Sequence, residues 1–207
     1  MDIEIKGLVK KYDGETIFNG INIYIKRGLI TVISGASGIG KTTVLNILSG
    51  IDSEFEGLVC GVDKSRVAYV FQEPRLLDHL TVSENIRFVL DKKMNRSEIE
   101  DVISKVLESV DMKKQKDFYP AQLSGGMKQR VSIARAFAYP GDLILMDEPF
   151  SGIDEKLKRQ MMDDIKKLQR KQGRTIVFVT HNMAEADYLG DEHYIIEGKP
   201  SEIIKMK

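Results

Sequence analysis

The chain has few of the residues that build disulfides and membrane spans. Cys60 is the single cysteine among 207 residues, which excludes an internal disulfide and a cysteine metal site. No stretch approaches the roughly 20 apolar residues that a membrane-spanning helix needs. Residues 1–6, MDIEIK, lack the cationic stretch and long apolar run of a secretory signal. We therefore expect a cytoplasmic protein whose membrane role, if it has one, comes through a partner.

An excess of either charge is also absent. Lys and Arg together number 31, as do Asp and Glu, so the formal net charge is zero. A general nucleic-acid binder usually carries a basic excess, and we expect no nucleic-acid partner. Apolar residues make up 42% of the chain and charged residues 30%, which is the balance of an ordinary soluble globular domain.

Strand patterns alternate with helical patterns along the chain. Ile3–Val9 and Ile17–Ile25 flank the turn dipeptide Asp13-Gly14, which predicts an antiparallel hairpin or small sheet. Further strands are predicted at Leu29–Ser34, Val67–Phe71, Leu143–Met146, Thr175–Val179 and, as the last strand, Ile195–Glu197. Helices are predicted at residues 42–48 and 154–172, with C-caps at Gly50 and Gly173. This alternation indicates an α/β fold with a mostly parallel sheet and right-handed crossovers.

Between the two halves of this α/β core, the pattern becomes helical. Thr81–Glu84 and Ser97–Glu100 both have the form of a capping box, so we expect helices to begin there. The second box precedes a single apolar helical stripe, which comprises Ile99, Val102, Ile103, Val106, Leu107 and Val110. Residues 75–122 are therefore predicted to form a helical insertion.

Residues 35–43 match the phosphate-loop pattern G-x-x-x-x-G-K-[ST], between a predicted strand and a predicted helix as the motif requires. The segment consists of Gly35, Ala36, Ser37, Gly38, Ile39, Gly40, Lys41, Thr42 and Thr43. Its glycines let successive backbone N–H groups point at phosphate oxygens, and the helix adds the positive end of its dipole. Lys41 would hold the β- and γ-phosphates of ATP, and the Thr42 hydroxyl would ligate Mg²⁺. The alternative is a chance glycine-rich turn.

Residues 143–148, LILMDE, form an apolar strand that ends in two carboxylates. A parallel strand buried on both faces has this composition, and ligands bind beyond the carboxyl ends of such strands. Asp147 would hold Mg²⁺ through water, and Glu148 is placed to polarise the attacking water. The alternative is a pair of solvated turn acids before Pro149.

Residues 123–130, LSGGMKQR, follow the phosphate loop in the chain. With these motifs in this order, the chain resembles the ATP-binding subunit of an ABC transporter over nearly its whole length. Residues 123–130 are similar to the signature motif of that family, which starts a helix. The resemblance implies a head-to-tail dimer in which Ser124, Gly125 and Gly126 of one subunit close over the γ-phosphate on the loop of the other. A helix N-terminus suits that role; the alternative is a flexible linker before an ordinary helix.

The resemblance also implies a P-loop NTPase fold with a RecA-like core and a single ATPase domain over residues 1–207. Residues 1–74 and 131–207 would form the nucleotide-binding core with an N-terminal antiparallel β subdomain. Residues 75–130 would form a helical subdomain that carries the signature motif.

Further positions match the pattern of the family in the right order. Gln72 resembles the glutamine that contacts Mg²⁺ and the attacking water, and His181 resembles the switch histidine that contacts the γ-phosphate. Tyr12 lies where the family places an aromatic ring under adenine, a role that needs only a flat π face. The alternatives are a polar strand end for Gln72 and a tyrosine packed on the hairpin for Tyr12. Ser151–Asp154 is similar to the loop that joins the two active sites, although the family usually has Ala where this chain has Gly152.

Within the family, the chain is most similar to the ATPases of nitrate, sulfonate and taurine importers. That similarity lies in residues 125–130, GGMKQR, in 147–150, DEPF, and in 181–186, HNMAEA. Residues 45–52, LNILSGID, instead resemble the lipoprotein-release and macrolide-export ATPases, but that group usually has Thr at the position of Phe150.

The expected protein is thus a homodimeric ATPase that sandwiches two ATP molecules with Mg²⁺ and drives transmembrane permease subunits. The resemblance implies a peripheral position on the inner face of the cell membrane and, through the permease, an extracellular solute-binding protein. Catalysis would use Glu148, Lys41, His181 and Gln72, while Mg²⁺ would be held by Thr42, Gln72 and Asp147. An export ATPase is the first alternative. A soluble ABC protein acting in DNA repair or on ribosomes is the second, and the lack of sustained heptads between the motifs disfavours it.

Overall fold

The computed structural model describes residues 2–90 and 94–206, and the elements below are those of this part of the chain. The strands are β1 (Ile3–Tyr12), β2 (Glu15–Ile25), β3 (Ile30–Gly35), β4 (Glu56–Cys60), β5 (Val67–Val70), β6 (Leu143–Asp147), β7 (Thr175–Thr180), β8 (Glu192–Glu197) and β9 (Glu202–Lys205). The helices are α1 (Lys41–Ser49), α2 (Val82–Arg87), α3 (Arg96–Ser109), α4 (Gly125–Ala138), α5 (Glu155–Gln172) and α6 (Met183–Leu189). Single 3₁₀ turns occur at Lys64–Arg66, Lys113–Gln115 and Pro120–Gln122.

The chain forms two compact units, each built from more than one segment. Residues 2–69, 142–148 and 172–206 make the first unit, and residues 70–90, 94–141 and 149–171 make the second. The first unit contains both sheets, with only the last residue of β5 outside it. The second contains helices α2 to α4 and nearly all of α5.

An antiparallel sheet opens the first unit. Its strand order is β2-β1-β4, with three strands. The hairpin of β1 and β2 closes at Tyr12 opposite Glu15, around a turn in which Asp13 and Gly14 both have positive φ. This confirms the predicted hairpin. Strand β4 was not predicted, because its sequence, EGLVC, begins with a charged residue and a glycine and lacks an alternating pattern.

The larger sheet has six strands in the order β5-β6-β7-β3-β8-β9. The pairs β6–β7, β7–β3 and β3–β8 are parallel, whereas β9 pairs antiparallel with β8. Every residue of β6 and β7 is buried, as is typical of a parallel strand covered on both faces. This confirms the predicted α/β fold and its mostly parallel sheet. The carboxyl ends of β3, β6 and β7 consequently lie side by side at one edge.

Helix α1 packs its apolar face on this sheet. Val44, Leu45, Ile47 and Leu48 are buried in one cluster with residues of β3, β6 and β7. Each aliphatic side chain so buried contributes about 1.5–3 kcal/mol relative to an exposed one. The helix ends at Gly50, whose left-handed backbone places its N–H on the carbonyl of Ile47, which confirms the predicted C-cap.

In the second unit, the insertion is helical as predicted, within the described part of residues 75–122. Thr81 and Glu84 form the predicted capping box of α2. The box of α3 was misplaced by two residues, since Asn95 and Glu98 form it rather than Ser97 and Glu100. Asparagine caps as well as serine does, so two overlapping box patterns competed and the helix took the earlier one.

The end of the chain also differs from the prediction. Ile195–Glu197 was expected to lie in the last strand, but β8 is followed by β9, which the sequence did not indicate. Strand β9 is short, carries Glu202 and Lys205, and only Ile203 is half-buried, so it has no apolar pattern to reveal it. None of the helices in the described residues is both long and apolar enough to span a bilayer.

Candidate functional site

Two glycines of the loop between β3 and α1 lie where a side chain would clash with neighbouring residues. A Cβ at Gly35 would lie 2.4 Å from the carbonyl oxygen of Ile196, and one at Gly40 would lie 2.6 Å from the ring of Phe18. Both glycines have positive φ, which other residues adopt only with strain. The loop therefore has the tight backbone that the glycine pattern predicts, and it opens α1 at Lys41.

Lys41 is almost fully buried and turns back over this loop. Its ammonium donates to the carbonyls of Gly35 at 3.0 Å and Ala36 at 2.8 Å. It also lies 3.2 Å from Oε1 of Glu148. The carboxylate of Glu148, which directly follows β6, thus lies beside the lysine of the loop.

Next along the sequence, Thr42 meets the other acid of that strand. Its hydroxyl donates to Oδ1 of Asp147 at 3.1 Å, and the Tyr69 hydroxyl is 3.4 Å from Oδ2. Burial raises the pKa of Asp147, and the neighbouring Glu148 charge raises it further against the hydrogen bonds from Thr42 and Tyr69. The arrangement places two oxygen donors together, and oxygen is the ligand type that Mg²⁺ prefers.

Glu148 stands just beyond the end of β6 in a left-handed backbone conformation, with φ at 40°. Its N–H donates to the carbonyl of Val179 in β7, at 3.1 Å, which fixes the strained turn to the sheet. Its second carboxylate oxygen, Oε2, is 2.8 Å from Nδ1 of His181. Glu148 is therefore held between the lysine of the loop and the histidine that follows β7.

His181 is positioned by a network that the sequence did not reveal. The Thr180 hydroxyl donates to Glu185 at 2.6 Å and accepts the N–H of Asn182 at 3.0 Å. The Asn182 side chain caps α6 through the N–H of Ala184. These bonds fix the backbone on both sides of His181, and their only sequence signal is the polar run that follows β7.

Tyr12 is a further site candidate in the first unit. Its hydroxyl donates to Oδ2 of Asp52 at 2.6 Å, and the Lys10 ammonium lies 4.5 Å from the centre of its ring. Burial raises the pKa of Tyr12 most, the bond to Asp52 raises it further, and a hydrogen bond with Thr43 opposes both. Neither Lys10 nor Asp52 was singled out by the sequence.

The remaining candidates lie in the second unit. Ser124 caps α4, its hydroxyl accepting the N–H of Met127, and Gly125 and Gly126 are the first residues of that helix. This confirms that residues 123–130 start a helix. Gln72 donates to the Ser151 hydroxyl at 3.4 Å. Gly152 has φ at +72°, so its backbone takes a form that alanine would adopt only with strain.

The structure thus brings Lys41, Thr42, Asp147, Glu148 and His181 together within the first unit. No group of three or more His, Cys, Asp or Glu side chains could hold a metal within residues 2–90 and 94–206. A protein typically holds Mg²⁺ with only one or two carboxylates, and phosphate groups supply further ligands. The Thr42–Asp147 pair fits that mode.

Comparison with known proteins places these motifs in a family context. A family model described as ABC transporter matches residues 18–151, well over half of the chain. The spermidine/putrescine import ATP-binding protein PotA of Photobacterium profundum is 38% identical over 97% of this chain. The chain spans 59% of the length of that PotA. The aliphatic sulfonates import ATP-binding protein SsuB of Bacillus subtilis is 35% identical over 100% of this chain and 82% of its own length.

Solved structures agree with this fold. A dimeric post-hydrolysis state of the ATP-binding cassette MJ0796, bound to ADP and Pi, is 30% identical with a TM-score of 0.85. The match covers 99% of this chain and 98% of the other. The structure of cbiO1 from Clostridium perfringens, part of the transporter complex cbiONQ, is 26% identical with a TM-score of 0.87, over 98% of this chain and 86% of its own.

Proposed function

Since this chain belongs to the ABC transporter family and carries its ATP-binding domain, we propose that it hydrolyses ATP to drive a membrane permease. One observation carries the proposal. Lys41, Thr42, Asp147, Glu148 and His181 converge at the carboxyl ends of β3, β6 and β7. Ligands of open α/β sheets bind at that edge. We also propose the division expected from the resemblance, with residues 75–130 as the helical part of a single ATPase domain.

In this proposal, the backbone of residues 35–43 receives the phosphates of ATP. Lys41 exchanges its ion pair with Glu148 for the β- and γ-phosphates. Its ammonium already lies over the phosphate loop, where it donates to the carbonyl of Ala36. Thr42, Asp147 and Gln72 would hold Mg²⁺, which would neutralise charge on the phosphates. Tyr12 supports the adenine ring.

The remaining side chains act on the attacking water. Glu148 is released by Lys41 and orients or deprotonates the water. Its main chain stays bonded to β7 through its own N–H, and His181 holds its carboxylate. His181 and Gln72 contact the γ-phosphate and the water. Phosphoryl transfer of this kind depends on positioning and charge stabilisation and needs little covalent chemistry from the protein.

We further propose that two copies close head to tail around two ATP molecules. Ser124, Gly125 and Gly126 at the start of α4 would meet the γ-phosphate held by the other copy, where a helix N-terminus favours an anion. The solved MJ0796 cassette, which is dimeric and bound to ADP and Pi, supports dimerisation.

The relatives favour import. Both PotA and SsuB are named import ATP-binding proteins. Of the solutes, we propose a nitrate-, sulfonate- or taurine-like compound, because the aliphatic sulfonates import proteins SsuB of Bacillus subtilis and SsuB 1 of Pseudomonas syringae are 35% and 36% identical to this chain. The chain would sit on the inner face of the cell membrane through its permease, with an extracellular solute-binding protein on the other side.

Phosphate release from ATP by the purified chain tests the enzymatic part. We expect Glu148→Gln to lower turnover at least a hundredfold, the usual contribution of a positioned base, and Lys41→Ala to abolish it. Glu108→Gln removes an exposed carboxylate of α3 and serves as the matched control with unchanged turnover. Undiminished turnover in Lys41→Ala would refute the site.

Purification of the tagged chain from detergent-solubilised native membranes tests the transport part. Copurification of a multispan permease with an extracellular binding protein supports import, and that binding protein can then be screened with sulfonates and polyamines. A permease with large extracellular domains and no binding protein would contradict import. Soluble partners alone would contradict the transport role.

A further inference from the structure

The ring of Tyr12 is supported on one side by a buried charge. Lys10 is only 2% exposed, and its ammonium lies 4.5 Å from the centre of the Tyr12 ring. A lysine is seldom so buried unless it is paired. Here the ammonium donates to Oδ1 of Asp52 at 2.8 Å and to the carbonyl of Glu54 at 2.5 Å.

Asp52 connects this cation to the phenol. Its other oxygen, Oδ2, accepts the Tyr12 hydroxyl at 2.6 Å, while Oδ1 also accepts the N–H of Glu54 at 3.1 Å. Burial alone would raise the pKa of Asp52, but the bonds from Lys10 and Tyr12 outweigh it and the pKa is lowered. The carboxylate is thus a charged anchor for both side chains.

These contacts leave one face of the ring available. Lys10 covers one face from the protein interior, yet Tyr12 as a whole is 43% exposed. The bond from its hydroxyl to Asp52 fixes where the side chain of Tyr12 lies, and the contact of Lys10 with one face restricts the plane of its ring. A flat aromatic surface is therefore held beside Asp52, in the segment that follows α1.

We propose that Lys10 and Asp52 are positioning residues that preorganise Tyr12 as a platform for the adenine ring of ATP, with Lys10 and adenine on opposite faces of the tyrosine. This inference rests on the proposed ATP site and adds two residues to it. An exposed tyrosine that is free to rotate loses that freedom when a base stacks on it, which weakens binding. The contacts with Asp52 and Lys10 restrict the tyrosine before ATP binds, so less conformational entropy is lost on binding. The charges of Lys10 and Asp52 cancel at a distance, so the pair should add little electrostatic potential at the phosphates. Both side chains contact Tyr12, so we expect them to affect binding of the base.

The sharpest test keeps the ring and the ion pair and removes only the hydroxyl. Affinities of wild type and Tyr12→Phe are measured by calorimetry for ATP and for inorganic tripolyphosphate, which has the phosphates without the base. We expect ATP to bind about fivefold more weakly, as for the loss of one hydrogen bond, and tripolyphosphate to bind as before. Tyr24→Phe is the matched control, because Tyr24 is also a half-exposed strand tyrosine whose hydroxyl donates to a carboxylate, that of Asp2.

A double-mutant cycle then asks whether Asp52 acts through the ring. Tyr12→Ala should weaken ATP binding at least tenfold, the size of a lost base–aromatic stack. Asp52→Asn should weaken it in the wild-type background but have little effect in Tyr12→Ala, because interacting residues are not additive. Thermal unfolding checks that each variant is folded. If Asp52→Asn does not fold, the comparison of Tyr12→Phe with Tyr24→Phe tests the inference by itself.

Any one of the following results would overturn the inference. ATP affinity could be unchanged in Tyr12→Phe, or ATP and tripolyphosphate could weaken equally, which would locate the effect in the phosphate loop. Asp52→Asn could weaken ATP equally with and without Tyr12. A folded wild type that binds tripolyphosphate and ATP with equal affinity would leave the phosphate site standing and refute the platform. Binding of neither ligand would refute the proposed function as well.

Discussion

Two adjacent glycines at the start of α4 are under different constraints. A Cβ at Gly126 would lie 2.6 Å from Cδ2 of Leu157, whereas a Cβ at Gly125 would meet nothing within 4 Å. Packing within the unit therefore explains only the second glycine. Packing does not require a glycine at position 125. In the proposed function, a glycine there lets a phosphate approach the backbone closely.

Alanine substitutions separate these two constraints. Gly126→Ala should lower Tm by a few degrees at most, because only the far end of the half-exposed Leu157 side chain must shift to admit the methyl group, and each kcal/mol shifts Tm by about 2–4 °C in a protein of this size. Gly125→Ala should leave Tm equal or slightly higher, since alanine favours helices, yet lower ATP turnover at least tenfold. Calorimetric melting and phosphate release measure the two effects. Equal destabilisation by both variants, or full turnover in Gly125→Ala, would contradict this assignment.

At the scale of elements, the first turn of α3 shows how local signals compete. Asn95 accepts the N–H of Glu98, and Glu98 reaches back to the N–H of Asn95 at 2.8 Å. Ser97, which the box pattern favoured, lies exposed within the helix. Pattern alone could not choose between the two registers, because both offer a capping residue followed by glutamate three positions later.

Asn95→Ala and Ser97→Ala form a matched pair for this helix start. Loss of the Asn95 cap should cost about 1 kcal/mol, seen as a lower denaturation midpoint at unchanged slope. Ser97→Ala should change the midpoint little or raise it slightly, because alanine is the better residue inside a helix. The reverse order of the two midpoints would restore the register predicted from the sequence.

Elements with strong apolar patterns were predictable from the sequence, and elements defined by partners were not. The wholly buried strands β6 and β7 and the apolar face of α1 are continuous hydrophobic signals. Strands β4 and β9 lie at sheet edges and carry charged residues, so their existence depends on the strand beside them. Among the proposed site residues, the motif positions are predicted by the sequence, whereas Tyr69, Lys10 and Asp52 meet them only through contacts that join distant segments.

The ion pairs of Glu192, on β8, with Lys26 and Lys205 should make the stability of the folded state depend on pH. Glu192 is 4% exposed, and its Oε1 is 3.0 Å from the ammonium groups of both Lys26 and Lys205. Burial would raise the pKa of Glu192, but the two lysines outweigh it and the pKa is lowered. A carboxylate with a depressed pKa stabilises the folded state above its ordinary pKa of about 4.3, and this contribution is lost as pH falls through the folded value.

Glu192→Gln should therefore be less stable than wild type at neutral pH, with a free-energy gap that closes as pH falls below about 4.3. Urea unfolding from pH 7 to pH 3 measures the gap. Glu202→Gln, an exposed position on β9, is the control and should follow the wild-type curve. A gap that stays constant with pH would contradict the role of the charge.

At the scale of the whole molecule, the proposed function needs a second copy. The residues proposed to bind ATP come from segments around positions 12, 41, 148 and 181, while Ser124, Gly125 and Gly126 are proposed to complete the site of another chain. Association should then depend on ATP and persist only while the γ-phosphate is uncleaved, an order–release switch of the kind that nucleotide hydrolysis drives.

Glu148→Gln should accumulate as a dimer in Mg-ATP, because it binds the nucleotide without cleaving it. Light scattering should show its molar mass doubling with ATP and returning to that of the monomer with ADP. Lys41→Ala should stay monomeric with both nucleotides, and Glu108→Gln should behave as wild type. A Glu148→Gln chain that remains monomeric at saturating ATP would contradict the sandwich.

The left-handed backbone of Glu148 has an evolutionary consequence. With φ at 40°, the position suits asparagine or glycine better than glutamate, and such strain costs on the order of 1–3 kcal/mol. The glutamate therefore occupies a position that its main-chain conformation disfavours. Selection for stability alone would remove this glutamate, and a lineage released from ATP turnover should lose it early. Glu148→Asn should accordingly be more stable than Glu148→Gln, although both lack the charge.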